Sequence, residues 1–249
     1  MTGPTVHYVF AHLKPPIPSR QLSIVIPCLD EAASIAALLE PLQPFRRRNV
    51  EVIVVDGGST DATLELAARG ADRTLSAPRG RALQMNAGAQ AAHGGVLLFL
   101  HADCTLPANA DTLVDTRLRA SGKRWGRFDI RLASAHPLLR MIAFAMNWRS
   151  RITGVATGDQ AIFVTRELFF IAGGFPPLPL MEDIALSKCL KAHGAPLCLS
   201  ERVVASARRW EQRGILRTMV LMWRLRFDYF CGRDPAQLAL LYDSPRQHR

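Results

Sequence analysis

The sequence predicts an α/β domain on a largely parallel sheet, and three observations carry that reading. Val52–Val55 and Val96–Leu100 are short, unbroken apolar runs, the pattern of strands buried on both faces. Such runs alternate with helical segments of about ten residues, as βαβ units require. Acidic residues follow the apolar runs closely, at Asp30-Glu31, Asp56 and Asp103, where the turns of an open parallel sheet face a ligand.

Taken in order, Met1–Arg20 carries prolines with little periodicity and reads as a flexible arm. Gln21–Pro27 is a strand, Ser34–Leu42 a helix with Ile35, Leu38, Leu39 and Leu42 inward, and Arg46–Asn49 a polar turn. Val50–Asp56 is the next strand. Gly57-Gly58 then permits a tight turn, with Ser59 or Thr60 placed to cap a helix over Thr60–Arg69. Arg73–Ser76 is a strand, Arg81–Ala92 a helix, and Val96–Leu100 a strand entered through Gly94-Gly95.

Beyond residue 104 the rhythm changes. Helices over Ala108–Ser121 and Pro137–Ser150 flank a strand at Trp125–Leu132. Asp159–Thr165 is a strand, and Arg166–Ala172 a short helix stopped by Gly173-Gly174. The Pro-rich stretch Phe175–Met181 reads as a rigid wall or lid. A helix over Glu182–His193, short strands at Pro196–Leu199 and Arg202–Ser206, and a basic amphipathic helix over Gly214–Cys231 complete the chain.

At 249 residues the chain can bury a sizeable core, and 49% hydrophobic with 21% charged residues is ordinary for a globular protein. No apolar run approaches the ~20 residues of a membrane span, and Met1–Arg20 lacks the pattern of a signal peptide. The 5 cysteines form no C-x-x-C pair, which argues against a disulfide framework or structural zinc and fits the cytoplasm. A net charge of +10 attracts anions, but no recognition helix, finger or aromatic platform accompanies it, so nucleic acid is not expected. The helix over 214–231, with Arg217, Arg224 and Arg226, suits peripheral contact with the inner face of an anionic membrane, a dimer contact, or a cover for the domain.

Several carboxylates on one sheet edge repel, so a cation or hydrogen-bonding ligand is expected between them; each alone could equally cap a helix. No G-x-G-x-x-G follows the first strand and there is no Walker A lysine, which demotes the dinucleotide and P-loop folds.

Ser23–Glu31, Val54–Thr63, Arg79–Ala91, Leu98–Pro107, Gly158-Asp159-Gln160, Gly173–Phe175, Leu180–Asp183 and Ala207–Trp210 together resemble a family 2 glycosyltransferase of the GT-A fold, over roughly residues 22–243. The Leu-His-Ala-Asp and Leu-Met-Glu-Asp wordings resemble its radical-SAM/selenodomain-associated, arsenosugar-biosynthesis-type subfamily. The resemblance implies one domain over 21–249, with a nucleotide-sugar half at 21–107 and an acceptor and catalytic half at 108–249. It implies a base and ribose pocket from Pro27, Leu29, Glu31 and Asp56, and Arg81 on the donor diphosphate. Within His101-Ala102-Asp103, Asp103 would hold Mn²⁺ or Mg²⁺. His101 replaces the first Asp of the family's D-x-D, leaving ligation, donor contact and packing open to it.

By the same resemblance Asp183, beside Glu182, is the general base, and Asp159, Gln160, Arg209 and Trp210 lie on the acceptor side. Ser206 stands where processive synthases carry Gln, and spans are lacking, so one transfer is expected rather than a growing chain. The expected activity is inverting transfer from a UDP-sugar to a small or lipid-linked acceptor. The alternatives are a sugar-nucleotide pyrophosphorylase, whose Gly-rich loop is absent, and a non-catalytic nucleotide-sugar binder.

Overall fold

The computed structural model describes residues 20–243. The expected arm over Met1–Arg20 lies outside the described residues except at Arg20, which opens the first strand. The strands are β1 (Arg20–Cys28), β2 (Glu51–Asp56), β3 (Arg73–Ser76), β4 (Gly94–Phe99), β5 (Cys104–Thr105), β6 (Trp125–Leu132), β7 (Phe163–Thr165) and β8 (Leu197–Ala205). The helices are α1 (Ile35–Leu39), α2 (Gln43–Arg47), α3 (Thr63–Gly70), α4 (Arg81–Ala91), α5 (Ala110–Ser121), α6 (Pro137–Thr153), α7 (Arg166–Ile171), α8 (Glu182–Lys191), α9 (Arg208–Arg213), α10 (Ile215–Phe230) and α11 (Pro235–Asp243).

The strands form one sheet in the order β3-β2-β1-β4-β7-β6-β8-β5. β1 pairs in parallel with β2 and β4, and β2 with β3, so Cys28, Asp56 and the residues after Phe99 end on one edge. β7 runs antiparallel to β4 and carries the turn before it to that same edge. One face of the sheet packs Ile24, Ile26 and Val54 against Ile35, Leu39, Phe45 and Leu139. The other packs Val25, Val55 and Phe99 against Met85, Phe169 and Leu186. Gly88 lets α4 approach that face, since a Cβ there would lie 2.4 Å from Val25 Cγ1. A third cluster, Leu180, Met181, Ile184, Leu225 and Leu238, ties α10 and α11 to the start of α8.

Several expected boundaries are corrected. The helix read over Ser34–Leu42 and the turn at Arg46–Asn49 become α1, a 3₁₀ turn over Glu40–Leu42, and α2. Pro41 and Pro44 each stand in the first turn of a new segment, where a missing N–H is harmless, and divide the run. Neither Ser59 nor Thr60 caps the next helix, which starts later, at Thr63. The strand read over Asp159–Thr165 is a 3₁₀ turn over Gly158–Gln160 followed by β7. The two short strands after Pro196 are one, β8, whose irregular register opposite Phe128 and Asp129 accommodates Ser200 and Glu201. β5, α9 and α11 were not expected.

At the other edge of the sheet, Glu51 is buried and accepts from Ser23 Oγ at 2.6 Å and His93 N at 2.7 Å, with His93 Nδ1 2.8 Å away. Burial pushes its carboxyl pKa up, but these hydrogen bonds outweigh burial and leave it lowered. A depressed carboxyl pKa stabilises the fold above its unfolded value and loses that stabilisation as pH falls through the folded one. Glu51→Gln is therefore expected to cost about 1–3 kcal/mol near neutral pH and to flatten the loss of stability below pH ~4.5, followed by urea unfolding across pH.

Candidate active site

The turns after β1 and β2 lock each other. Asp30 N donates to Ser59 Oγ at 2.8 Å, Thr60 N to Asp30 Oδ1 at 2.9 Å, and Glu31 N to Thr63 Oγ1 at 2.7 Å. Asp56 is buried, and its carboxylate accepts Gly58 N at 3.0 Å, Ser59 N at 2.9 Å and the Ser59 hydroxyl. The side chain expected to meet a base thus also organises its own turn. Pro27 is buried, whereas Leu29 and Glu31 are half-buried; the Glu31 carboxylate accepts the Ser34 hydroxyl at the start of α1.

Across the edge, His101 Nδ1 lies 3.1 Å from Asp159 Oδ1, and Asp103 stands exposed beside them with half-buried Ala102 between. One ligand atom from each of His101, Asp103 and Asp159 lies within 4.8 Å of the others. Asp159, expected to meet the acceptor, also places a carboxylate beside His101 in this cluster. Burial disfavours the charged imidazole, yet the hydrogen bond and charge of Asp159 outweigh it and raise the His101 pKa. The Asp159 pKa is lowered, burial being outweighed by the His101 hydrogen bond. Two carboxylates and an imidazole are a donor set that would suit Mn²⁺.

Gly158 joins this cluster to the acid expected as base. Its N–H donates to Asp183 Oδ2 at 2.8 Å, while a Cβ there would fall 2.2 Å from the His101 ring. Asp183 Oδ1 accepts Ile184 N at 2.7 Å, so the half-buried carboxylate is oriented at the start of α8. Met181 (φ 68°) and Ala161 (φ 45°) flank these two turns in the left-handed region, a strained conformation for residues with a Cβ. Behind them Asn86 accepts Phe175 N at 2.9 Å and donates to Phe175 O at 2.8 Å, fixing the Pro-rich wall to α4.

Three residues given roles by the resemblance are enclosed by the fold. The Glu182 carboxylate is buried and turned to Arg81, with Nε 3.2 Å from Oε1, so it positions Arg81 rather than reaching an acceptor. Burial raises the Glu182 pKa, with Arg81 opposing. Burial alone would lower the Arg81 pKa, but Glu182, Asp183, Asp159 and Asp103 together raise it. Gln160 is fully buried; its Oε1 accepts Thr157 N at 3.1 Å in a capping box and is closed to an acceptor. Trp210 is half-buried and packs on the main core. Exposed Arg209 lies over the Tyr242 ring at 4.5 Å, and its charge is felt by Asp103 and Asp159. A cavity of about 850 Å³ opens at the opposite sheet edge, beside Gln21, Val96 and Thr165, away from all these groups.

Residues 23–123 match the family Glycosyl transferase family 2. The chain is 35% identical over 250 residues to a PGL/p-HBAD biosynthesis glycosyltransferase of Mycobacterium tuberculosis, covering 82% of this chain and 97% of that one. It also resembles the mannosyltransferase PcManGT of Pyrobaculum calidifontis, solved with GDP-Man and Mn²⁺. The TM-score there is 0.62 at 20% identity, over 93% of this chain and 68% of that one. Staphylococcus aureus TarS 1–349 in complex with UDP-GlcNAc gives 0.63 at 18% identity over 75% of this chain, which spans 58% of that one. The chain belongs to glycosyl transferase family 2, as a nucleotide-sugar-dependent glycosyltransferase of the GT-A fold.

Proposed function

We propose that the enzyme moves a sugar from a UDP-sugar to a hydroxyl-bearing acceptor in one inverting step, with Asp183 as general base. The observation that carries this is Gly158, whose backbone contacts both the His101–Asp103–Asp159 cluster and the Asp183 carboxylate. The laced turns after β1 and β2 give the base and ribose a rigid wall of backbone from Pro27 to Glu31 and from Gly57 to Ser59. Arg81, held by Glu182, meets the diphosphate. His101, Asp103 and Asp159 would hold a divalent cation, which supplies charge neutralisation at the leaving diphosphate. Asp183 takes the acceptor proton, its two backbone N–H bonds fixing the direction from which it does so. The bound donors of TarS and PcManGT support a nucleotide sugar, and the motif wording supports the arsenosugar-biosynthesis-type subfamily. On this reading residues 21–107 serve the donor and 108–249 the acceptor and chemistry. The test is release of nucleoside diphosphate from UDP-, GDP- and dTDP-sugars with Mn²⁺; release from none of them would exclude the reading.

The acceptor side faces an anionic membrane. No helix of the described residues is long and apolar enough to cross one. Yet α6 exposes Met141, Phe144, Trp148 and Ile152 along one stripe, and α10 exposes Leu216, Val220, Trp223, Phe227 and Phe230 along another. Exposed Arg140 and Arg151 punctuate α6 and exposed Arg217 and Arg224 punctuate α10, against the single acid Asp228. A cavity of about 600 Å³ beside Phe144 and Trp148 is lined by Arg131, Arg140 and Arg202, a fit for lipid headgroups. A two-fold contact between copies would set these arginines against one another, which disfavours a dimer there. The protein is expected to sediment with phosphatidylserine vesicles and not with phosphatidylcholine ones, and Trp223→Ser with Phe227→Ser to weaken binding about tenfold. A concentration-dependent dimer with no vesicle binding would reverse this assignment.

A further inference from the structure

The cavity of about 600 Å³ beside Phe144 and Trp148 has one wall on α6 and the other on the sheet. The α6 wall is a single helix face, Arg140, Ala143, Phe144, Asn147, Trp148 and Arg151, spaced by threes and fours. On β6, Asp129 and Arg131 share one side of the strand, and the register sets Arg202 of β8 opposite Asp129. The cavity therefore gathers four arginines and one acid. That acid is already paired: Asp129 Oδ2 accepts Arg151 Nη2 at 2.6 Å, and Oδ1 accepts Arg127 Nη1. Among the described residues, the side chains of Arg131, Arg140 and Arg202 have no hydrogen bond or ion pair.

The larger cavity at the opposite sheet edge is the contrast. There Arg48 pairs with Asp111 at 2.7 Å, Arg119 with Asp115 at 2.8 Å, and Lys123 Nζ donates to Pro196 O at 2.8 Å. Its cations are matched by the chain itself. Around the arginine cavity the like charges repel, and an anion between them relieves that repulsion. Phe144 and Trp148, both more than half exposed, border it, and exposed Met141 and Ile152 continue the apolar stripe along α6. A phosphate held here sits at the margin of an apolar surface, the arrangement of a phospholipid rather than of a free ion. None of Arg81, His101, Asp103, Asp159 and Asp183 lines the cavity, so it is separate from the candidate active site.

We propose that this cavity binds the phosphate-monoester headgroup of one lipid molecule, with Arg131, Arg140 and Arg202 on the phosphate and Phe144 and Trp148 against the acyl chains. Three unpaired guanidiniums match a dianion better than the single charge of a phosphodiester, and their planar forks suit its oxygens. The assignment to a lipid rests on the membrane-facing reading of α6 and α10. It adds a discrete one-to-one site to a surface otherwise held by scattered charge and apolar contact.

The test is calorimetric titration of the full chain with dihexanoyl phosphatidic acid below its micelle threshold. Dihexanoyl phosphatidylcholine and inorganic phosphate are the comparison arms. Wild-type protein is expected to bind phosphatidic acid one to one, at least about tenfold more tightly than either. Arg131→Gln combined with Arg202→Gln is expected to lose at least about tenfold of that affinity and to keep UDP affinity. Trp148→Ser should weaken the lipid and leave inorganic phosphate unchanged. These side chains are exposed, so the fold should stand; if the double variant does not fold, Arg140→Gln carries the test. Unchanged phosphatidic acid binding in the arginine variants would overturn the site. Inorganic phosphate binding as tightly as phosphatidic acid would overturn the lipid assignment, and phosphatidylcholine doing so would overturn the role of the arginines. Short-chain binding without sedimentation on phosphatidylserine vesicles would uphold the site and contradict the membrane-facing reading. Sedimentation without short-chain binding would overturn the site and leave that reading standing.

Discussion

Asp183→Asn is expected to bind donor within about threefold of wild type and to turn over roughly a hundred- to ten-thousand-fold more slowly, the range a positioned general base supplies. The asparagine keeps one oxygen for either Gly158 N–H or Ile184 N–H, so the turn at the start of α8 loses one hydrogen bond rather than its shape. What it lacks is a basic lone pair for the acceptor proton. Nucleotide affinity by calorimetry and nucleoside diphosphate release by a coupled assay separate the two effects. A fully active Asp183→Asn would remove Asp183 as base; because Glu182 is buried against Arg81, it is no substitute within reach.

Asp103→Ala is expected to lower donor affinity in Mn²⁺ by roughly a hundredfold and to abolish the difference between Mn²⁺ and chelator. Asp103 is the exposed member of the cluster and its backbone carbonyl accepts Ser206 N at 3.0 Å, a bond that alanine keeps, so the fold should stand. Asp159→Asn separates two roles for that residue. As a ligand it would reduce metal dependence together with donor affinity; as an acceptor contact it would leave both unchanged.

The parallel part of the sheet was readable because strands buried on both faces leave unbroken apolar runs. Val52–Val55 and Val96–Leu100 therefore marked the sheet edge on which Asp56 and Asp103 stand. The hydrogen bonds of Asp56 to its own turn were less readable, since a carboxylate on a strand-to-helix turn looks the same in sequence with or without them. Asp159 joins His101 only because β7 runs antiparallel to β4, a pairing no local pattern announces. Gln160 carried a legible signal, the Thr157-x-x-Gln160 spacing of a capping box, which weighs against an acceptor role.

The most direct measurement is thermal melting of the protein against a panel of UDP-, GDP- and dTDP-sugars, with Mn²⁺ and with chelator. The account predicts that UDP-sugars raise the melting temperature in Mn²⁺, and that the rise disappears in chelator and in Asp103→Ala. A melting temperature unmoved by every nucleotide sugar, with metal or without, would contradict it.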